Sequence, residues 1–215
     1  ELKKDPLLIF TARTLDYIRD EWVKIVGTVL TVVLVVFAAT MIIKGRKRSE
    51  TNAYDAALTA LQSNAPEASA LLNAVVDKYG RSRWAADALL RLGNLHFQQK
   101  DYEQSEKYFT RFIEKFSGDT LSDFNAFNGL GIVLEEKGEP AKAAEVYEKY
   151  LSKHKNSPFE TMMLISAAKA HWFAGNKTSA KEYFTKVAEQ SADSQEKQEA
   201  LNYLEMFQLN KLGKL

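Results

Sequence analysis

The sequence predicts an all-α protein in which one apolar helix precedes an array of helical hairpins and a final capping helix. Residues Ile25 to Ile43 contain no charge, and helical periodicity continues from Thr51 onward with no alternating strand pattern. The same helix-pair pattern recurs about every 37 residues. These observations predict about four hairpins within a repeat region 51–193, with bounds near 51–80, 85–118, 122–157 and 160–191.

The composition excludes several classes of protein. The chain has 215 residues, of which 46% are hydrophobic and 27% are charged, as in one ordinary domain with an appendage. It contains no cysteine, so disulfides and thiolate chemistry are excluded. The net charge of +1 and the lack of a basic patch predict no nucleic-acid partner.

The uncharged segment 25–43 is expected to be a transmembrane helix. Its 19 residues, at about 1.5 Å per helical residue, cover roughly the 30 Å hydrocarbon core of a bilayer. A strand of this length would be far outside the usual range. Lys44 follows the segment directly and no small-residue cleavage site intervenes, which favours an uncleaved anchor over a signal peptide.

The two flanks of this segment differ in character. Residues 1–24 are expected to form an amphipathic helix in the membrane interface with Trp22 as its aromatic anchor; a plain solvated segment is the alternative. Residues 44–50 form a basic juxtamembrane segment. By the positive-inside rule its dense cluster favours a cytoplasmic repeat region, whereas the dispersed cations before the span favour the opposite side, so sidedness stays open. The two sets are Lys44, Arg46, Lys47 and Arg48, and Lys3, Lys4, Arg13, Arg19 and Lys24.

The repeat pattern pairs a small residue in each first helix with an aromatic residue in each second helix. The small residues lie 38 and 37 residues apart, and the aromatic residues keep the same steps. They are Gly93, Gly131 and Ala168, and Phe109, Tyr147 and Phe184. This pattern resembles the tetratricopeptide repeat, in which the small residue lets two helices approach closely.

The two ends of the array are expected to be atypical units. A step of 37 residues back from Gly93 reaches Ala56, which predicts a degenerate opening hairpin. Residues 194–215 are expected to form a capping helix, because a repeat array needs one polar outer face at its end. Its apolar stripe comprises Ala200, Leu201, Leu204 and Phe207.

The first helices of such an array line its concave surface, where partner proteins usually bind. Counted from the repeat register, the predicted partner-binding residues are Asn94, Phe97, Gln98, Asn128, Ile132, Glu135, Lys169, Trp172 and Phe173. Exposed aromatic residues are frequent interface anchors. Trp172 and Phe173 are therefore either such anchors or buried against the capping helix, and both alternatives stay open.

The sequence contains no pattern typical of catalysis. His96 and His171 occupy the same slot of two repeats, a slot that usually holds an aromatic residue, so we expect structural imidazoles. No metal-ligand spacing, phosphate-binding glycine loop or nucleophile motif is present. We therefore expect no enzyme activity, no cofactor, no metal and no small-molecule substrate.

The layout as a whole, with Thr14 to Gly27 leading into the span and repeats following, resembles the YfgM-like family of bacterial inner-membrane tetratricopeptide-repeat proteins. The resemblance implies a single-pass inner-membrane protein with a periplasmic repeat domain, working with the secretion translocon and chaperones. The expected function is a membrane-anchored scaffold for protein-protein interactions in secretion or envelope assembly. The alternative is a structural accessory subunit of a large membrane complex, with the span as its main interface.

Overall fold

The computed structural model describes residues 6–62, 65–80, 82–190 and 195–211. Within these ranges all regular structure is helical, and the predicted all-α class is confirmed. The helices are α1 Pro6–Gln62, α2 Ala65–Lys78, α3 Arg83–Gln98, α4 Tyr102–Lys115, α5 Thr120–Glu136, α6 Pro140–Lys153, α7 Glu160–Phe173, α8 Lys177–Gln190 and α9 Gln195–Lys211.

The chain divides into two compact units, residues 1–52 and 53–215. In the first unit, α1 continues without a break through the predicted interfacial, transmembrane and basic segments, while residues 1–5 lie outside the described ranges. Every large apolar side chain from Val29 to Ile43 is more than half exposed. Within the part of this helix from Glu21 to Ala60, an 18-residue stretch has a mean hydropathy of 2.6, so the helix is long and apolar enough to cross a membrane.

The second unit is an array of helical hairpins. α3 packs on α4, α5 on α6 and α7 on α8, and each hairpin also contacts the next along the chain. The end of α1 joins α2 in a first hairpin, where Ala60 is buried in one cluster with Leu72 and Val75. The predicted series of hairpins resembling tetratricopeptide repeats is confirmed.

The turns inside three hairpins share one conformation. Lys100, Gly138 and Gly175 all adopt a left-handed backbone, with φ of 59°, 75° and 81°. In each case the next residue donates its backbone N–H to a carbonyl five residues back, as Glu139 does to Leu134 at 2.8 Å. This bond closes the end of the first helix. The second helix of the hairpin begins after three intervening residues.

Glycine residues allow the close packing of these helices on aromatic rings. A Cβ atom added at Gly93 would lie 2.7 Å from the ring of Phe109, and one at Gly131 would overlap the ring of Tyr147. Gly129 meets Phe109 from the next hairpin, where an added Cβ would lie 2.5 Å from the ring. The two predicted glycine-aromatic pairs, Gly93 with Phe109 and Gly131 with Tyr147, are thus in contact, and Phe109 lies between two glycines.

A buried carboxylate links α5 to the end of α6. The Asp123 side chain is fully buried; its Oδ2 accepts hydrogen bonds from Ser117 Oγ at 2.7 Å and from Lys153 Nζ at 2.8 Å. His154 Nε2 lies 2.7 Å from the same oxygen, and the Gly118 N–H donates to Oδ1 at 3.1 Å. Burial acts to raise the pKa of Asp123, but the hydrogen bonds it accepts, chiefly from Lys153, outweigh burial and hold the pKa below its ordinary value.

Candidate functional site

The predicted partner-binding residues lie on α3, α5 and α7, the first helices of three hairpins. We call this set of nine residues the first-helix surface. On α3, Asn94 and Gln98 are exposed, and neither side chain has a hydrogen-bond partner among the described residues. Phe97 is half-buried, with its ring 5.8 Å from that of Tyr102. The α3 portion therefore offers two free carboxamides beside a packed aromatic ring.

The α5 portion is more recessed. Asn128 and Ile132 are half-buried, and the Asn128 amide has no partner in the described part of the chain. Glu135 is exposed and accepts a hydrogen bond from the Tyr147 hydroxyl at 3.2 Å. This bond holds the carboxylate at the end of α5.

On α7, the two aromatic residues Trp172 and Phe173 have different environments, which the sequence could not assign. The Trp172 ring packs edge-on against Phe207 of α9, with centroids 4.8 Å apart, and the Lys177 ammonium lies 3.4 Å from its centroid. Phe173 is 66% exposed. Trp172 is thus a packing residue against the capping helix, whereas Phe173 is available to a partner.

Lys169 connects the first-helix surface to the capping helix. Its Nζ lies 3.0 Å from a carboxylate oxygen of Glu199 on α9. Partial burial acts to lower the pKa of Lys169, but the bond to Glu199 and the charge of Glu135 raise it above its ordinary value. Glu135 of α5 and Lys169 of α7 therefore interact electrostatically.

A groove of about 490 Å³ lies along the first part of α3 and was not predicted from the sequence. Its lining residues come from α3, α4 and the start of α5, and the charged ones include two arginines. The Arg83 guanidinium stacks over the Trp84 ring at 4.6 Å, and Arg91 Nε bonds to Asp87 at 2.6 Å. The sequence could have indicated this groove only through four charged or aromatic residues in the first part of α3, namely Arg83, Trp84, Asp87 and Arg91.

The histidines that the sequence placed in one repeat slot have matching surroundings. The His96 and His171 rings stack on Tyr108 and Tyr183, with centroids 5.3 and 5.6 Å apart. His171 Nε2 also lies 2.9 Å from Glu148. Both imidazoles fill equivalent packing positions, as expected, and the described residues contain no group of three or more side chains suited to a metal ion.

Successive hairpins with equivalent glycine-aromatic contacts and equivalent turns define an α-solenoid. Residues 84–156, which include most of α3 and all of α4 to α6, match the tetratricopeptide repeat family. This part of the chain is therefore similar to tetratricopeptide repeats, a family whose members generally bind other proteins.

One solved structure shows the same fold, and a second has lower similarity. A crystal structure of a tetratricopeptide repeat protein from Parabacteroides merdae is similar at 17% identity with a TM-score of 0.59, over 80% of this chain. The chain spans 63% of the length of that protein. A structure of Pseudomonas aeruginosa pilF is 18% identical with a TM-score of 0.43, over 78% of this chain and 93% of that one. No curated protein sequence matches the chain.

Proposed function

We propose that this protein is a membrane-anchored scaffold whose repeats bind partner proteins at the first-helix surface. The observation that carries the proposal is the exposed ring of Phe173 on α7. The unpaired amides of Asn94, Gln98 and Asn128 lie on α3 and α5, which are likewise the first helices of their hairpins. Aromatic residues surrounded by polar groups supply much of the binding energy at protein interfaces. The match to the tetratricopeptide repeat family also supports the proposal, because members of that family generally bind other proteins.

Site-specific photo-crosslinking tests the binding surface. A photoreactive side chain is placed at Asn94, Gln98 or Phe173, and matched probes are placed at Lys107 and Glu145, which are exposed on second helices. Crosslinks to a discrete partner at the first set and not at the second support the proposal. Equal crosslinking at both sets would contradict it.

The anchoring part of the proposal is supported by α1. Its large apolar residues from Ile25 to Ile43 are exposed over a length that matches a bilayer core, and no described residue covers them. We infer that lipid covers them. Resistance of the full chain to alkaline carbonate extraction is the expected result; release into the soluble fraction would overturn the anchor.

For the location we propose the bacterial inner membrane with a periplasmic repeat domain, and a role in secretion or envelope assembly with translocon or chaperone partners. The resemblance in layout to the YfgM-like family supports this. Within 20 residues of the span, three Lys or Arg residues precede it and four follow it, so the positive-inside rule gives no support to a periplasmic repeat domain and the layout alone supports this location. Protease added to intact spheroplasts is expected to digest the repeats; digestion only after lysis would place them in the cytoplasm.

The alternative role, as a structural subunit held in a complex by its span, predicts a different result. The uniformly exposed apolar surface of α1 would suit a membrane-embedded interface as well as lipid. Replacing residues 25–43 with an unrelated apolar segment tests this, because the scaffold should keep its crosslinked partner whereas the structural subunit should lose its complex.

A further inference from the structure

Four cationic residues follow the apolar segment of α1 within five positions. Lys44, Arg46, Lys47 and Arg48 are all exposed, and their charged groups have no ion-pair or hydrogen-bond partner among the described residues. We call these four residues the basic collar. Unpaired charges in one short segment are available to an external anion.

At the other end of the apolar segment, the basic residues are balanced by acidic ones. Lys24 pairs with Glu21 at 2.7 Å, and the stretch 13–24 contains three basic and three acidic residues. The stretch 44–50 contains four basic residues and one acidic residue. The positive charge is therefore concentrated at one end of the apolar segment only.

The basic collar surrounds its helix. At about 100° per residue, the four side chains leave α1 at roughly 0°, 200°, 300° and 40° around the helix axis. A partner protein that packs along one face of α1 could neutralise only part of this set. An anionic layer through which the helix passes would reach all four residues.

The extent of the basic collar along the axis also fits such a layer. Four steps of about 1.5 Å place the residues within roughly 6 Å along the helix. The polar region of one leaflet is of similar thickness, since a bilayer of about 40–45 Å contains a hydrocarbon core of about 30 Å. The basic collar begins directly after Ile43, the last residue of the apolar segment.

We propose that the basic collar is a binding site for anionic phospholipid headgroups, in the leaflet on the repeat side of the membrane. This inference rests on the proposed membrane anchor and holds for either orientation of the chain. Each Lys or Arg near an anionic surface attracts it independently of headgroup stereochemistry, so the selectivity is for negative charge. The consequence is a lipid shell around α1 that is enriched in anionic lipid.

Lipid selectivity of the reconstituted full chain tests the proposal. The chain is inserted into phosphatidylcholine vesicles containing one-fifth phosphatidylglycerol, and electron spin resonance measures the motionally restricted fraction of spin-labelled phosphatidylglycerol or phosphatidylcholine. We expect roughly three-fold or greater preference for phosphatidylglycerol at low salt, reduced toward one at 0.5 M salt by screening.

Two quadruple variants separate the basic collar from total charge. K44Q/R46Q/K47Q/R48Q is expected to lose the preference, whereas K107Q/K115Q/K149Q/K181Q removes the same charge from exposed sites on the repeats and should keep it. Preference retained by the first variant, or absent from the unmodified chain, would overturn the proposal. Carbonate extraction of each sample identifies the separate case in which the chain is not inserted, which would contradict the anchor itself.

Discussion

The ring of Phe109 occupies a space that glycines from two hairpins leave open. Gly93 bounds it from its own hairpin and Gly129 from the next, and the ring is only 1% exposed. Because both sides are closed by backbone, the ring cannot shift to accept an extra methyl group. One residue thus determines how closely two hairpins pack.

We expect Gly129→Ala to destabilise the repeats by about 1–2 kcal/mol. The added Cβ would lie 2.5 Å from the ring of Phe109, and overpacking of about 1–3 kcal/mol outweighs the better helix propensity of alanine. Urea unfolding of residues 53–215 measures the change. Gly118→Ala is the control, since its Cβ would meet no atom within 4 Å, and it should change stability by less than about 0.5 kcal/mol. Equal effects of the two changes would contradict this packing argument.

Asp123→Asn is expected to cost about 2–3 kcal/mol, because it removes the buried charge that Lys153 and His154 contact. The loss should depend on pH. Since the folded-state pKa is lowered, the stabilisation is fully present above the unfolded-state pKa of about 3.9 and disappears as pH falls through the folded-state value.

Unfolding free energies of the unmodified chain and the Asp123→Asn variant, measured from pH 7 to pH 2, should therefore converge below about pH 4. Asp87→Asn is a suitable control because Asp87 forms an exposed pair with Arg91 on one helix, which contributes at most about 0.5 kcal/mol. A constant gap between the unmodified chain and Asp123→Asn across the range would contradict the assigned ionisation.

At the scale of the helix, the end of α7 shows how neighbouring residues acquire different roles. Trp172 points to α9, where it contacts Tyr203 and Phe207, while the next residue, Phe173, remains exposed. Consecutive positions on a helix are about 100° apart, so one can be packed and the next open. Trp172 therefore stabilises the packing of the capping helix, whereas Phe173 is an exposed part of the first-helix surface.

Amide hydrogen exchange distinguishes these roles. Trp172→Ala is expected to accelerate exchange in α9 by at least about ten-fold, since loss of a packed aromatic ring costs more than 1.4 kcal/mol locally, while α3 to α5 stay protected. Phe173→Ala is the matched neighbour and should leave exchange in α9 unchanged. Faster exchange of α9 in both variants would mean that Phe173 is also a packing residue.

The sequence predicted these helices well because each hairpin repeats one register. The step from Gly93 to Gly131 located α3 and α5 together with their partners, and the same step located the turn at Gly138. It could not assign Trp172 and Phe173, because the register gives a position along the helix but not the angle at which α9 approaches. The different roles of Trp172 and Phe173 follow from how α9, a helix outside the repeat pattern, packs on α7.

On the scale of the whole molecule, contacts between residues far apart in the chain were also beyond the sequence. Asp123 is in the first turn of α5, where acidic residues are ordinary, and its partners Lys153 and His154 are about 30 residues away. Gly129 lies outside the repeated small-residue position, so no step in the sequence marks it. The local pattern predicts each helix. The Asp123 contacts depend on how α5 and α6 pack within one hairpin, and the Gly129 contact depends on how two hairpins stack.

The proposed anchor gives a prediction for the whole chain. Replacing Leu34 and Val35 together by arginine should release the protein from the membrane fraction, because each arginine at the centre of a span costs about 2.5–3.5 kcal/mol on insertion. Carbonate extraction followed by immunoblotting measures the distribution. Leu121→Arg/Met162→Arg, a double change at exposed positions of the repeats, should leave the protein in the membrane; release of both variants alike would show a folding defect instead.

The shared position of Phe109 limits how this array could have grown or could be shortened. Its ring fills a space formed by its own hairpin and by the next, so the hairpins are not interchangeable modules. Excision of one 37-residue unit, residues 82–118, would bring Leu72, the counterpart of Phe109 in the first hairpin, opposite Gly129. The smaller leucine would leave a void there, and a shortened chain would need a larger residue at one of these two positions to recover a close-packed junction.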